Sequence, residues 1–111
     1  MSSPAPESRE QIADAVVRCI DAKDLRKALA ICQRLNQQHA DYAYGWYLAS
    51  FLMQKVRHYP DAIRAIDRAL QLASLDKYQL HKIRCYFEAN DLAGAISAAA
   101  APTREWASSR T

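Results

Sequence analysis

Apolar residues recur along the chain at helical spacing, broken at intervals by short polar segments. From Arg9 to Ala22, Ile12, Ala15, Val16 and Cys19 share one face, and Ser8 with Gln11 reads as a capping box at the start. Asp24 caps a second predicted helix, Leu25 to Gln37, whose apolar positions are Leu25, Ala28, Leu29, Ile31, Cys32 and Leu35. Residues 38–41 connect it to the stretch Tyr42 to Leu72, which reads as two helices joined by a turn at Tyr59-Pro60-Asp61. The second of these, Asp61 to Ala73, is amphipathic through Ala62, Ile63, Ile66, Ala69 and Leu70. Ser74-Leu75-Asp76 is a further break and cap, followed by a helix from Lys77 to Ala89 carrying Leu80, Ile83, Tyr86 and Phe87. Asn90-Asp91 caps a sixth helix, Leu92 to about Ala101, which Pro102 stops.

The helix that begins at Tyr42 departs from this pattern. Trp46, Ala49, Ser50 and Met53 form one stripe, Gly45, Ala49, Leu52 and Val56 a second, and Tyr44, Tyr47, Leu48 and Phe51 a third. A helix that is apolar nearly all round needs cover on several sides. The rest of the chain, or a partner, must supply that cover.

A fixed period runs through these elements. Ala28 in DLRKALAIC, Ala62 in YPDAIRAID and Ala95 in DLAGAISAA lie 34 and 33 residues apart, each early in the second helix of a pair. Helix pairs at that period are the mark of a helical repeat array. In the middle unit the chain resembles the tetratricopeptide repeat family. Trp46 stands at the family's Trp, and Tyr59, Ala62, Ile66 and Ala69 fall at its aromatic, small, bulky and small positions. Ala49-Ser50 replaces the usual Leu-Gly pair, Met53 the Tyr and Ser74 the closing Pro. The outer units are degenerate. The resemblance implies an all-α fold, a right-handed superhelical stack of three antiparallel helix pairs (repeats at about 9–42, 43–75 and 76–102). Residues 1–7 would be a disordered lead and 103–111 a tail. Small side chains let helices approach to about 8–10 Å, so Ala62 is expected against Ala49 and Ser50, with Trp46 and Met53 filling the remaining volume.

Composition agrees with this. Only two glycines and four prolines leave little turn chemistry for a many-stranded β fold. A net charge of +3, spread along the chain, offers no basic run for nucleic acid. No apolar stretch approaches the ~18 residues of a membrane span, and the N-terminus has no signal-peptide core. Cys19, Cys32 and Cys85 form no metal-binding spacing or disulfide framework, so a reduced, cytoplasmic protein is expected. His39 and His58 fall in turns. No catalytic motif, cofactor loop or metal site is present, and the chain reads as a non-enzyme without cofactors.

In the family, the first helices of successive repeats line a concave groove that binds peptides or partner helices. The resemblance places Glu10, Ala13, Asp14, Val17 and Asp21 at one end of such a groove. Tyr44, Tyr47, Leu48, Phe51 and Lys55 would lie in its middle, and Lys77, Leu80, His81, Arg84 and Glu88 at the other end. The expected groove is acidic, then aromatic, then largely basic, and its expected ligand is another protein. The alternative is internal packing of those rings against neighbouring repeats or against the tail through Trp106. A subtype that grips a C-terminal carboxylate would use the places held by Ala13, Val17, Leu48, Lys77 and His81; only Lys77 matches. The final helix is small, apolar and almost uncharged, whereas repeat arrays end in a polar cap. Self-association through it, or further protein downstream, would cover that surface. Two further roles follow: an N-terminal module of a larger bacterial enzyme such as a sulfotransferase, or a small chaperone for a secreted protein.

Overall fold

A computed structural model describes residues 8–100. Among these residues there are six helices and no strand: α1 (Arg9–Asp21), α2 (Leu25–Gln38), α3 (Ala43–Lys55), α4 (Tyr59–Leu72), α5 (Asp76–Glu88) and α6 (Leu92–Ala100). The expectations for residues 1–7, for the Pro102 stop and for the tail with Trp106 lie outside the described residues.

Three of the helices, α1, α2 and α6, start where a side chain satisfies a free N–H group. The Ser8 hydroxyl accepts from the Gln11 N–H at 3.2 Å, and the Gln11 side chain accepts from the Ser8 N–H at 2.8 Å. Asp24 accepts from the Lys27 N–H at 3.2 Å, and Asp91 from the Gly94 N–H at 2.8 Å. Two expectations at helix starts need correction. Tyr59-Pro60-Asp61 is not the turn but the first turn of α4, where the missing N–H of Pro60 costs nothing. Asp76 is likewise the first residue of α5 rather than its cap; Leu75 holds the cap position without a side-chain hydrogen bond.

Each helix pair closes by the same device. Lys23, Arg57 and Asn90 have φ of 62°, 63° and 61°, and they stand 34 and 33 residues apart, the period of the alanines. Around each, one N–H reaches back three residues and the next reaches back five: Lys23 to Ile20 and Asp24 to Cys19, Arg57 to Gln54 and His58 to Met53, Asn90 to Phe87 and Asp91 to Tyr86. This is a Schellman ending, which leaves the helix through a left-handed residue. Glycine is the usual choice there, and a side chain with a Cβ costs energy in that conformation. The turn geometry thus repeats more faithfully than the residues that make it.

Packing centres on α3, which touches α1, α2, α4 and α5. One core cluster joins Ile12, Ala13 and Val16 of α1, Ala28, Cys32 and Leu35 of α2, and Leu48 and Leu52 of α3. A second joins Ile66 and Ala69 of α4 to Tyr78 of α5, with Trp46 and Tyr47 against it. Ala28, Ala62 and Ala69 are fully buried and Ala95 is 4% exposed, so the period of small residues is the period of the seams. At the α3–α4 seam Ser50 donates to the Ala62 carbonyl at 2.6 Å, while Ala49 packs towards the first cluster. Gly45 lets α3 lie on α2: a Cβ there would meet the Leu35 side chain at 3.2 Å. The Trp46 indole N–H donates to the Ala40 carbonyl at 2.9 Å and ties down the α2–α3 connection.

Lys23→Gly removes the left-handed penalty in a turn that is otherwise unchanged. The expected result is a gain of about 0.5–1 kcal/mol in urea unfolding; a loss would show that the Lys23 side chain contributes contacts beyond its backbone.

Candidate functional face

The first helices of the second and third pairs, with the cap residue Tyr42, bring a row of rings together. Tyr42 meets Tyr44 edge-on at 6.1 Å, Tyr44 stacks on Tyr47 at 6.0 Å, and Tyr47 stacks on Tyr78 at 5.1 Å. The row then passes to His81, 5.3 Å from Tyr47 and 6.4 Å from Phe51. Tyr44 and Tyr47 lie on one stripe of α3 because they are three residues apart. Offset and edge-to-face contacts of this kind suit ring quadrupoles.

Cations sit over the ring faces. Lys77 Nζ lies 5.4 Å from the Tyr44 centroid, 5.4 Å from Tyr47 and 5.5 Å from Tyr78. Lys55 covers Phe51 at 5.0 Å, and Arg9 covers Tyr42 at 4.7 Å. Burial pushes the Tyr42, Tyr44 and Tyr78 phenols above their ordinary pKa, with Asp14 adding to the effect at Tyr42 and Tyr44. The rings therefore stay neutral near pH 7.

The expected groove residues divide into three groups. Tyr44, Tyr47 and Phe51 are half-buried, and Glu10, Asp14, Lys55, Lys77 and Arg84 are exposed. Leu48 and His81 are buried, at 4% and 5% exposure, so neither offers a free surface. Leu48 belongs to the first core cluster. Tyr42, Tyr78 and Arg9 join the ring row without having been expected there. Tyr78 lies one helical turn before His81 and, at 2% exposure, belongs to the second core cluster as well as to the row.

His81 belongs to a buried polar latch. The Ser50 hydroxyl spends its hydrogen on the Ala62 carbonyl, so at 3.0 Å its oxygen accepts from His81 Nε2–H. Cys85 Sγ lies 3.5 Å from the same nitrogen. This joins α3, α4 and α5 through side chains that are nearly or wholly inaccessible. Ser50 is committed to a backbone acceptor and has no route to act as a nucleophile. Burial raises the Cys85 thiol to about 11 and the Cys32 thiol to about 12, so both stay protonated. All three cysteines are free. Among the described residues no group of three or more His, Cys, Asp or Glu could hold a metal, and no helix is long and apolar enough to cross a membrane.

Against known proteins, no family model matches the sequence, and no curated protein matches it. Solved structures do match. The Yersinia enterocolitica type III secretion translocator chaperone SycD, in a structure described as an alternative dimer, superposes with a TM-score of 0.77. The alignment covers 96% of this chain and 87% of that one, at 16% identity. The fold is that of a tetratricopeptide-like helical repeat. At this identity the likeness concerns architecture, and the ring row and the latch are features read from this chain itself.

Burial holds the His81 pKa below its ordinary 6.5, and Arg84 acts in the same direction; the Ser50 hydrogen bond and Glu88 oppose it. Between the lowered folded value and 6.5, the unfolded chain binds a proton at this site that the folded chain does not. Stability therefore falls as pH drops through 6.5. Denaturant unfolding at pH 7.5 and 5.5 should show this loss, and His81→Gln should reduce it. An equal loss in the variant would assign the titration to another group.

Proposed function

We propose that this chain is a non-enzymatic, chaperone-like interaction module that binds an extended or helical segment of another protein along Tyr44, Tyr47 and Phe51. The row of half-buried rings, framed by Glu10 and Asp14 on one side and Lys55, Lys77 and Arg84 on the other, carries this reading. Aromatic side chains bring large contact area with little rotamer entropy, and flanking charges set the register of a bound segment. Likeness in fold to a protein described as a translocator chaperone supports the chaperone-like sense of the proposal. Leu48 and His81 act from beneath, one as core and one as latch.

Tyr44→Ala combined with Phe51→Ala is expected to weaken a partner recovered by affinity isolation at least about tenfold, the size of one good anchor contact. Helix content by circular dichroism should remain. An unfolded double variant would make these rings core and defeat the reading.

A second contact, self-association, is favoured by one observation. Leu80, Phe87 and Ile96 on α5 and α6 are 64%, 65% and 69% exposed. Large apolar side chains at the end of a repeat stack are the position where a further layer would pack. Sedimentation analysis should show a concentration-dependent dimer that Ile96→Lys with Phe87→Lys converts to monomer. A wild-type monomer at all concentrations would remove this contact.

A further inference from the structure

A cleft opens where the C-terminal halves of α3 and α5 meet the α3–α4 turn. It has a volume of about 590 Å³ and is lined by Phe51, Gln54, Lys55, Arg57, Tyr59, Arg84 and Glu88. Its three cations come from three segments: the end of α3, the left-handed turn residue, and the body of α5. None of them forms an ion pair among the described residues, in contrast to Arg9 with Glu10, Arg64 with Asp61 and Lys82 with Asp67. The single acid, Glu88, is held on the wall by the Gln54 amide, which donates to it at 2.7 Å from a side chain only 7% exposed. Phe51 and Tyr59 supply apolar walls beside the charges.

Cations at a helix C-terminus often do no more than offset the helix dipole. Lys55 and Arg57 fit that role at the end of α3, but Arg84 does not, since it precedes the last turn of α5. At the register of Lys55 the neighbouring repeats place Asp21 and Glu88, so the charge of Lys55 belongs to this site and not to the repeat, whereas Arg57 has a basic counterpart in Lys23. A polyanion is a poor occupant. Continuing past the ring row towards α1, it would meet the exposed carboxylates of Glu10 and Asp14. A polypeptide with one acidic end has no such conflict.

We propose that this cleft binds an Asp or Glu side chain of the partner polypeptide, with a neighbouring apolar residue against Phe51. This rests on the groove reading above and adds to it the charge and direction of the bound segment: acidic end at α5, neutral or basic end at α1. It is a different place from the C-terminal-carboxylate positions, at which only Lys77 matches.

The test is a library of random twelve-residue peptides displayed on phage and panned on the intact chain and on the variant Lys55→Gln with Arg84→Gln, its fold checked by circular dichroism. Peptides selected by the intact chain should be enriched in Asp and Glu next to an apolar residue, and the variant should lose that enrichment. For the best peptide, replacing its acid by Gln should weaken binding about tenfold by fluorescence anisotropy, the scale of a charge-assisted contact. Binders without acidic enrichment, or enrichment unchanged in the variant, would overturn the cleft proposal and leave the groove reading standing. Failure to select any binder would overturn both. A single-stranded oligonucleotide that bound more tightly than the best peptide, and lost that binding in the variant, would replace the peptide by a nucleic acid.

Discussion

The structure depends on how closely α3 can approach its neighbours. Gly45 lies so close to Leu35 that a Cβ would stand 3.2 Å from its side chain, tighter than an ordinary contact, and Ser50 reaches the Ala62 carbonyl at 2.6 Å. Both contacts need a small residue on at least one side of the seam. Such spacing leaves no free volume for larger side chains, so α3 can be apolar nearly all round and still be covered. It also brings α1, α3 and α5 side by side, and from that the row of rings follows.

Exposed polar pairs such as Arg64–Asp61 and Arg68–Gln71 stay within one helix, while several more buried polar interactions join different helices. Gln54 joins α3 to Glu88 of α5, Lys82 joins α5 to Asp67 of α4 at 2.7 Å, and Gln79 of α5 donates to the Ala98 carbonyl of α6 at 2.8 Å. The third ties together the helices of the last pair, and the first two span neighbouring helix pairs. The Ser50–His81–Cys85 latch does the same with groups that are almost wholly buried, so its geometry must be satisfied before α5 can settle on α3. Its imidazole meets Tyr47 edge-on at 5.3 Å and lies 6.4 Å from Phe51. The polar latch therefore links the proposed binding face to the stability of the stack.

Arg57 shows how one residue can serve two demands. As the left-handed residue of the α3–α4 turn it occupies a place where glycine would be less strained, and its side chain lines the cationic cleft. Lys23 and Asn90 hold the equivalent positions in the other pairs. The turn accepts different residues because its energy comes from the two backbone hydrogen bonds of the Schellman ending.

The starts of α1, α2 and α6, the 34- and 33-residue period and the all-α class were legible in the chain because each rests on local chemistry: side-chain caps, apolar spacing, and alanine where helices touch. Ser8, Asp24 and Asp91 each cap as their position in the sequence implies. The Tyr59-Pro60 step misled because proline marks a helix start as readily as the turn before it. Partition of the aromatic stripe was beyond sequence alone. Leu48 and Tyr47 are adjacent on the same stripe, yet one is core and the other half-exposed, because only the placement of α1 and α5 determines which rotation of α3 is covered. The cationic cleft was equally hidden, since Lys55, Arg57 and Arg84 lie on separate segments and meet only when the second and third helix pairs stack. Local periodicity determined the elements and their repeat; the angle and closeness of packing decided which side chains were left for a partner.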